Sequence, residues 1–149
     1  MENRFTIAGF SFTDIEADKR VEILPKQINI RSTPSITSLS KLKDNRIKVS
    51  FTFIIEYLPG VATMKFDGFL LVDFSSKKMV NEVIELWNEK RKLEENLDIF
   101  IKNFLFRKCL TLGIFLAERM NLPPPLMFPQ VVKKGLFTKK SKVNLDYIG

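Results

Sequence analysis

Residues 47–57 carry the clearest pattern in the chain, a strict alternation of apolar and mainly polar side chains. The apolar positions of one parity are Ile47, Val49, Phe51, Phe53, Ile55 and Tyr57. A period of two is typical of a β-strand with one buried face. Pro59-Gly60 then supplies the restricted φ and the glycine of a type II turn. Residues 62–74 alternate again, so we predict a long antiparallel hairpin at the centre of a sheet.

Two weaker strands are predicted before this hairpin. In residues 4–12 the apolar positions change parity at Ala8-Gly9, which indicates a bulge or bend at that point. Residues 21–31 predict a second strand, interrupted by Pro25 and therefore placed near a sheet edge.

The segments between these strands are predicted to be connections. Residues 13–20 are polar and charged, and residues 32–40 are rich in Ser, Thr and Pro. We therefore expect both segments to lack regular structure, with a turn at Asp44-Asn45 leading into the hairpin.

Two helices are predicted after the sheet. Ser75 or Ser76 caps the first helix, and its apolar stripe consists of Val80, Val83, Ile84 and Trp87. The charged residues 91–95 form a joint or a continuation of this helix. Residues 97–121 predict a second, longer helix, which Pro123-Pro124-Pro125 brings to an end.

The longer helix is apolar on most of its circumference. Lys102, Arg107 and Lys108 interrupt the apolar run, which leaves it too short for a membrane span. Because one small sheet covers only one side of such a helix, we expect an oligomer or a bound apolar ligand to cover another. The candidate oligomer-interface residues are Phe100, Phe104, Leu112 and Phe115.

Length and charge suggest a simple domain plan. The 149 residues, 45% of them hydrophobic, suffice for one domain with a real core. We place this α+β domain at residues 1–131 and a basic tail at residues 132–149. Five tail lysines stand against Asp146 alone and contribute +4 to the net charge of +7: Lys133, Lys134, Lys139, Lys140 and Lys142. The polar first residues carry no secretory signal, so we expect a cytoplasmic location.

The composition leaves little material for catalysis. The chain has no histidine, which removes His-based catalytic arrangements and His-based metal sites. Its one cysteine, Cys109, is expected to be a packed thiol inside the second helix. Of the carboxylates Asp14, Glu16, Asp67 and Asp73, the last two fall on the polar face of one strand, and no second acid is expected to converge with them. We therefore expect neither enzymatic activity nor a cofactor or metal.

The order of these elements resembles the SecB family of protein-export chaperones, from about residue 4 to about residue 131. Phe10-Ser11-Phe12-Thr13-Asp14-Ile15 is similar to the family's first strand. Asn103-Phe104-Leu105-Phe106 is similar to its helix start, and residues 122–131 are similar to its Pro and Leu strip. The family's Gly-Ile-Phe after the hairpin is absent, and Arg107 stands where a proline is usual.

The resemblance implies an α+β fold with a four-stranded antiparallel sheet packed by two C-terminal helices. It also implies a homotetramer that holds unfolded polypeptide clients in apolar surface grooves. The candidate client-binding residues are Phe10, Phe12, Met64, Phe66, Phe69, Leu126, Met127 and Phe128. No phosphate-cradling loop is present, so holding is expected to be independent of ATP. The usual SecB is acidic, so delivery of clients to the SecA motor is not carried over to this basic chain.

Two alternatives stay open at the level of sequence. The five tail lysines are suited to neutralising nucleic-acid phosphates, with Phe137 or Tyr147 stacking on bases. A small-molecule-binding protein without catalysis needs the same kind of apolar cavity as a chaperone, and the sequence does not separate the two.

Overall fold

The computed structural model describes residues 4–126, which form a four-stranded antiparallel sheet and two helices. The strands are β1 (Phe5–Lys19), β2 (Asn29–Lys41), β3 (Arg46–Leu58) and β4 (Ala62–Phe74), and the helices are α1 (Lys77–Lys90) and α2 (Glu95–Arg119). The strand order across the sheet is β1-β4-β3-β2, so β1 and β2 form its two edges. The predicted α+β class, with a sheet followed by two helices, is confirmed.

The central hairpin of β3 and β4 supplies most of the core, as its alternation predicted. Every second residue of each strand is buried beneath the helices, and Phe53 faces Phe66 across the pair. The opposite face of the two strands is partly exposed and carries mainly charged and hydroxyl side chains, together with Ile54, Phe69 and Leu71. A sheet with one apolar face is the expected result of a strict period of two.

Both predicted turns are present, although one of them is wider than expected. Gly60 adopts the positive φ of 58° that the prediction required. The closing hydrogen bond, however, runs from the Val61 N–H to the Tyr57 carbonyl oxygen at 2.9 Å, one residue wider than in a type II turn. Asp44 and Asn45 both have a φ of 61°, as a tight hairpin turn requires.

The first strand is longer than the sequence predicted. A register shift between Ile7 and Gly9 confirms the bulge at Ala8-Gly9. Beyond it the strand continues to Lys19, which faces Ala62 of β4, so the prediction of a connection at residues 13–20 is wrong. Residues 13–18 are exposed, and their polar character reflects a strand that no helix covers.

The second strand is displaced from its predicted position. Residues 32–40 pair with β3 instead of forming a loop, and residues 21–28 belong to the crossover between the two sheet edges. Pro34 faces Phe53 within this strand. A proline is compatible with an edge strand, because one side of such a strand carries no ladder hydrogen bonds. The predicted edge position is therefore confirmed, and the predicted bounds are wrong.

Side-chain and backbone caps define where the two helices begin and end. The Ser76 hydroxyl accepts a hydrogen bond from the Met79 N–H at the start of α1. Arg91, with a φ of 53°, ends this helix. The Glu94 carboxylate then accepts hydrogen bonds from the first turn of α2, so residues 91–94 are a joint and not a continuation. No helix within residues 4–126 is long and apolar enough to cross a membrane.

Helix α2 approaches the sheet most closely at Gly113. A Cβ at this position would lie 2.6 Å from Cδ1 of Ile55 and 3.2 Å from Cγ of Pro125. The proline segment after α2 is therefore packed back against the helix. The Tyr57 hydroxyl anchors the segment by donating a 2.6 Å hydrogen bond to the Pro123 carbonyl oxygen.

Candidate functional site

The packing of α2 leaves apolar surface at its sides. Its buried residues recur every fourth position: Leu97, Ile101, Leu105, Cys109, Gly113 and Ala117. Cys109 is fully buried, which confirms the predicted packed thiol, and this burial raises the pKa of the thiol to about 12. The apolar residues that flank this stripe are only partly covered by the sheet, and they delimit the candidate site.

One of these surfaces is a groove between β1 and α2, which we name the β1–α2 groove. Its volume is about 370 Å³, and its lining residues are Phe5, Thr6, Ile7, Phe100, Asn103, Phe104 and Arg107. The groove runs beside the free edge of the sheet, because β1 pairs with β4 on its other side. Apolar walls next to an open strand edge are suited to an extended polypeptide.

Aromatic contacts make the walls of this groove rigid. The Phe5 and Phe100 rings meet edge to face with centroids 4.9 Å apart, and the Phe10 and Phe104 rings are 5.5 Å apart. Phe10 also stacks on Phe51 of β3 at 5.6 Å, which ties the groove to the core. The bulge in β1 makes this possible, because it puts Phe5 and Phe10 on the same face of the sheet.

The predicted client-binding residues do not form a single surface. Phe10 and Phe12 are half-buried on the helix-facing side, whereas Phe69 lies on the opposite face with the Lys48 ammonium 4.7 Å from its ring. Met64 and Phe66 are 0% exposed. This burial corrects the prediction for these two residues, which the alternation of β4 places in the core beneath α2 and not in an open groove.

The proline segment carries the remaining predicted client-binding residues. Leu126 is partly buried at the end of the described residues, directly after Pro125 at the Gly113 contact. Met127 and Phe128 lie outside the described residues, as do the five tail lysines. The structure therefore shows where this segment leaves α2.

The predicted interface residues divide into two groups. Phe100 and Phe104 line the β1–α2 groove, and Leu112 is half-buried against the core. Phe115 is 53% exposed on the outer side of α2, with the Arg119 guanidinium 4.9 Å from its ring. Phe115 is one of five large apolar residues that are exposed within residues 4–126, and its ring offers apolar surface that a partner could bury.

None of the four candidate carboxylates is among the described residues that line this groove. Arg46 donates two hydrogen bonds to Asp73, at 2.6 and 3.0 Å, and this hydrogen bonding lowers the pKa of the carboxyl group. Asp14 is the backbone register partner of Asp67 across β1 and β4, a neighbour that the sequence did not predict. The bulge at residues 12–14, which the sequence did not reveal, creates this pair. Asp67 accepts a hydrogen bond from the Thr52 hydroxyl.

The chemistry of the groove favours binding over reaction. Among the described residues that line it, Arg107 alone has a charged side chain. Within residues 4–126 no group of three or more acidic or thiol side chains is arranged to hold a metal ion. Contact with apolar side chains is therefore what this surface can offer a partner.

Sequence reasoning missed part of the groove. The sequence assigns Phe5 and Ile7 to the first strand but not to the candidate client-binding site, because the apolar alternation of a strand does not show which helix will cover it. The sequence signal for this grouping is the bulge, which brings Phe5, Ile7, Phe10 and Phe12 to one face of the strand.

Comparison with known proteins identifies the fold. No family model and no curated protein matches this sequence. Among solved structures, the chain is similar to the Mycobacterium tuberculosis SecB-like chaperone Rv1957, which was solved in complex with a ChAD peptide from the Rv1956 HigA1 antitoxin. The two share 12% identity with a TM-score of 0.61, over 87% of this chain and 91% of that one. The fold of this chain is thus the SecB-like α+β fold.

Proposed function

We propose that this protein is an ATP-independent holding chaperone that binds unfolded or nascent polypeptides through apolar grooves around α2. The observation that carries the proposal is the open β1–α2 groove, in a fold shared with a SecB-like chaperone that was solved with a bound peptide. Such a protein needs no catalytic group. It needs exposed apolar surface that stays fixed while clients vary.

The groove fits an extended client in two ways. Its aromatic walls receive large apolar side chains, which unfolded chains expose and folded proteins bury. The neighbouring edge of β1 offers unpaired backbone N–H and C=O groups to an extended main chain. Neither contact depends on a particular client sequence, as a general holding activity requires.

The active form is proposed to be a homotetramer. Helix α2 covers the sheet with one stripe, and Phe115 stays half-exposed on its outer side. A second copy packed on this side removes apolar surface from water while the client groove stays open at the sheet edge. Residues 127–131 are proposed to extend the apolar surface beyond Leu126, as part of the single domain at residues 1–131.

A charge placed at the lip of the groove tests the proposal. Asn103 lines the groove and is exposed, so Asn103→Glu adds a carboxylate that apolar client side chains must desolvate. The new carboxylate lies four residues before Arg107, a spacing that supports the helix. The variant is therefore expected to fold normally and to need several times more protein for half-maximal protection of an aggregating client.

Thr111→Glu is the matched control. Thr111 is exposed on the same helix and lies outside the groove lining, so the added charge is the same and the groove is unchanged. Protection is measured by light scattering of a client diluted from denaturant, without ATP. Equal protection by the two variants would exclude the groove as the client site. A parent protein that protects none of several unrelated clients would contradict the chaperone proposal itself.

A further inference from the structure

Four exposed lysines gather at one corner of the domain, away from the β1–α2 groove. Lys41 ends β2, Lys43 lies in the turn that follows, and Lys77 and Lys78 begin α1. Lys41, Lys43 and Lys77 line one open basin of about 880 Å³ together with Leu42, Asp44 and Asn45. We name these four lysines and this basin the basic corner.

The charge of the basic corner is not neutralised within the described residues. No carboxylate in residues 4–126 forms an ion pair with any of the four lysines. Lys41 instead donates a 2.8 Å hydrogen bond to the Asn81 side chain of α1, which holds it at the basin. Asp44 is the one acidic residue among the described basin-lining residues, so the corner carries a clear positive excess.

The position of Lys77 and Lys78 opposes the stability of α1. The first turn of this helix contains no acidic residue, although negative charge is favoured at a helix N-terminus and positive charge is disfavoured. Lys41 and Lys77 also bring like charges to the same basin. The lysines at the start of α1 and the like charges around the basin both destabilise the free protein. Binding of an anionic partner would make both sets of charges favourable.

We propose that the basic corner docks an acidic segment of a partner polypeptide, rich in Asp and Glu. The basin is open to solvent, and its lysines lie on three different elements, as suits an extended charged segment. No described lining residue is aromatic, so the surface offers no stacking platform for nucleic-acid bases. The neighbouring Arg46 forms a bidentate ion pair with Asp73, so its guanidinium is not available to bind phosphates.

This docking surface is independent of the proposed holding function. The basic corner lies at the junction of β2, the β2–β3 turn and α1, whereas the β1–α2 groove lies at the β1 edge. Loss of one activity is therefore separable from loss of the other. Holding of an aggregating client is expected to be unchanged in the variants described next.

The test variant is Lys77→Glu combined with Lys78→Gln in the full chain. Glutamine at the second position avoids a carboxylate four residues before Glu82. Binding is measured by fluorescence anisotropy with a labelled oligoglutamate peptide, an oligoglutamine peptide and a single-stranded oligonucleotide. The parent is expected to bind oligoglutamate in a salt-dependent manner, and the variant to bind it about tenfold more weakly.

The same variant has an opposite effect on stability. Removing positive charge from the first turn of α1 is expected to raise the thermal midpoint by about 2 °C. Binding that falls while stability rises cannot be explained by poor folding. The matched control, Lys90→Glu with Lys92→Gln, makes the same charge change about 20 Å away at the other end of α1. It is expected to keep oligoglutamate binding and to lose stability.

The tail is tested separately, because its five lysines also attract anions. The comparison is repeated in a full-length chain with glutamine at those five positions, where the difference between test and control variants is expected to persist. Oligoglutamate binding that is equal in the two variants would overturn the proposal. Binding of oligoglutamine by the parent protein as tightly as oligoglutamate would also overturn it. So would a protein that binds the oligonucleotide through Lys77 and Lys78 but does not bind oligoglutamate.

Discussion

Replacement of Phe115 by serine tests whether other copies of the chain cover the outer side of α2. Phe115 is 53% exposed, which corresponds to about 100 Å² of apolar surface for a side chain of roughly 200 Å². At about 25 cal/mol per Å², burial of this surface in an interface stabilises each copy by about 2.5 kcal/mol. A two-fold interface contains the residue twice, so the loss reaches about 5 kcal/mol, or more than about a thousandfold in the dissociation constant.

The exposed position of Phe115 limits the cost to the folded subunit. About half of the side chain, roughly 100 Å², is buried in the subunit, so at about 25 cal/mol per Å² the serine variant should lose about 2 kcal/mol of folding stability, less than a fully buried phenylalanine would cost. Phe115→Leu keeps most of the apolar surface and serves as the control. Both variants are checked by thermal denaturation before assembly is compared.

Sedimentation equilibrium over a range of protein concentrations measures the outcome. The parent and the leucine variant are expected to remain assembled at concentrations where the serine variant is dissociated. An unchanged dissociation constant in a folded Phe115→Ser protein would show that this residue lies outside any interface. A parent that is monomeric at micromolar concentration would refute the reasoning from the uncovered helix.

Three further results are expected. Gly113→Val should lower the free energy of unfolding by about 2 kcal/mol, because even a Cβ there would lie 2.6 Å from a side-chain carbon of β3; denaturant titration measures this change. The hydrogen bonds from Arg46 lower the pKa of Asp73, so the stabilisation by this carboxylate is present above about pH 4 and is lost as the pH falls through the folded-state pKa. In Asp73→Asn the thermal midpoint should therefore fall less steeply with decreasing pH than in the parent protein. Met127→Ser with Phe128→Ser should weaken client holding in a variant that keeps its mass and thermal midpoint, and undiminished holding would exclude these residues from the client surface.

The sequence predicted best where a strand has one face fully buried. The alternation of β3 and β4 is strong because every second residue lies beneath the helices, as Phe53 does against Phe106 of α2 with ring centroids 5.5 Å apart. The cap of α1 was narrowed to Ser75 or Ser76, because caps depend on local chemistry, and the structure places it at Ser76; the sequence left open whether residues 91–95 form a joint or continue the helix.

The edge strands were harder to read for a physical reason. The second half of β1 is exposed, so its side chains are not selected for apolar alternation. In β2 every second position from Ile30 to Ile36 is partly buried, but Ser32 and Pro34 occupy two of these positions, so the apolar alternation is broken. What makes both segments strands is backbone pairing with β4 and β3, which does not require a strict apolar pattern.

The candidate site was predicted only in part, because it depends on tertiary placement. Met64 and Phe66 are large and apolar, as groove residues should be, yet their face of β4 lies beneath α2. Phe69 is also large and apolar but lies on the other face of the sheet. The sequence identifies which side chains are apolar, and the position of α2 decides which of them a client can reach.

Complex formation with a permanently unfolded protein tests the central claim most directly. A reduced and alkylated client that cannot refold is mixed with the full-length protein, and the mass of the eluting species is determined by gel filtration with light scattering. We expect a complex with the unfolded client, independent of ATP, and none with the same client in its native folded form. Separate elution of the unfolded client and the protein at micromolar concentration, or equal binding of the native client, would contradict the account.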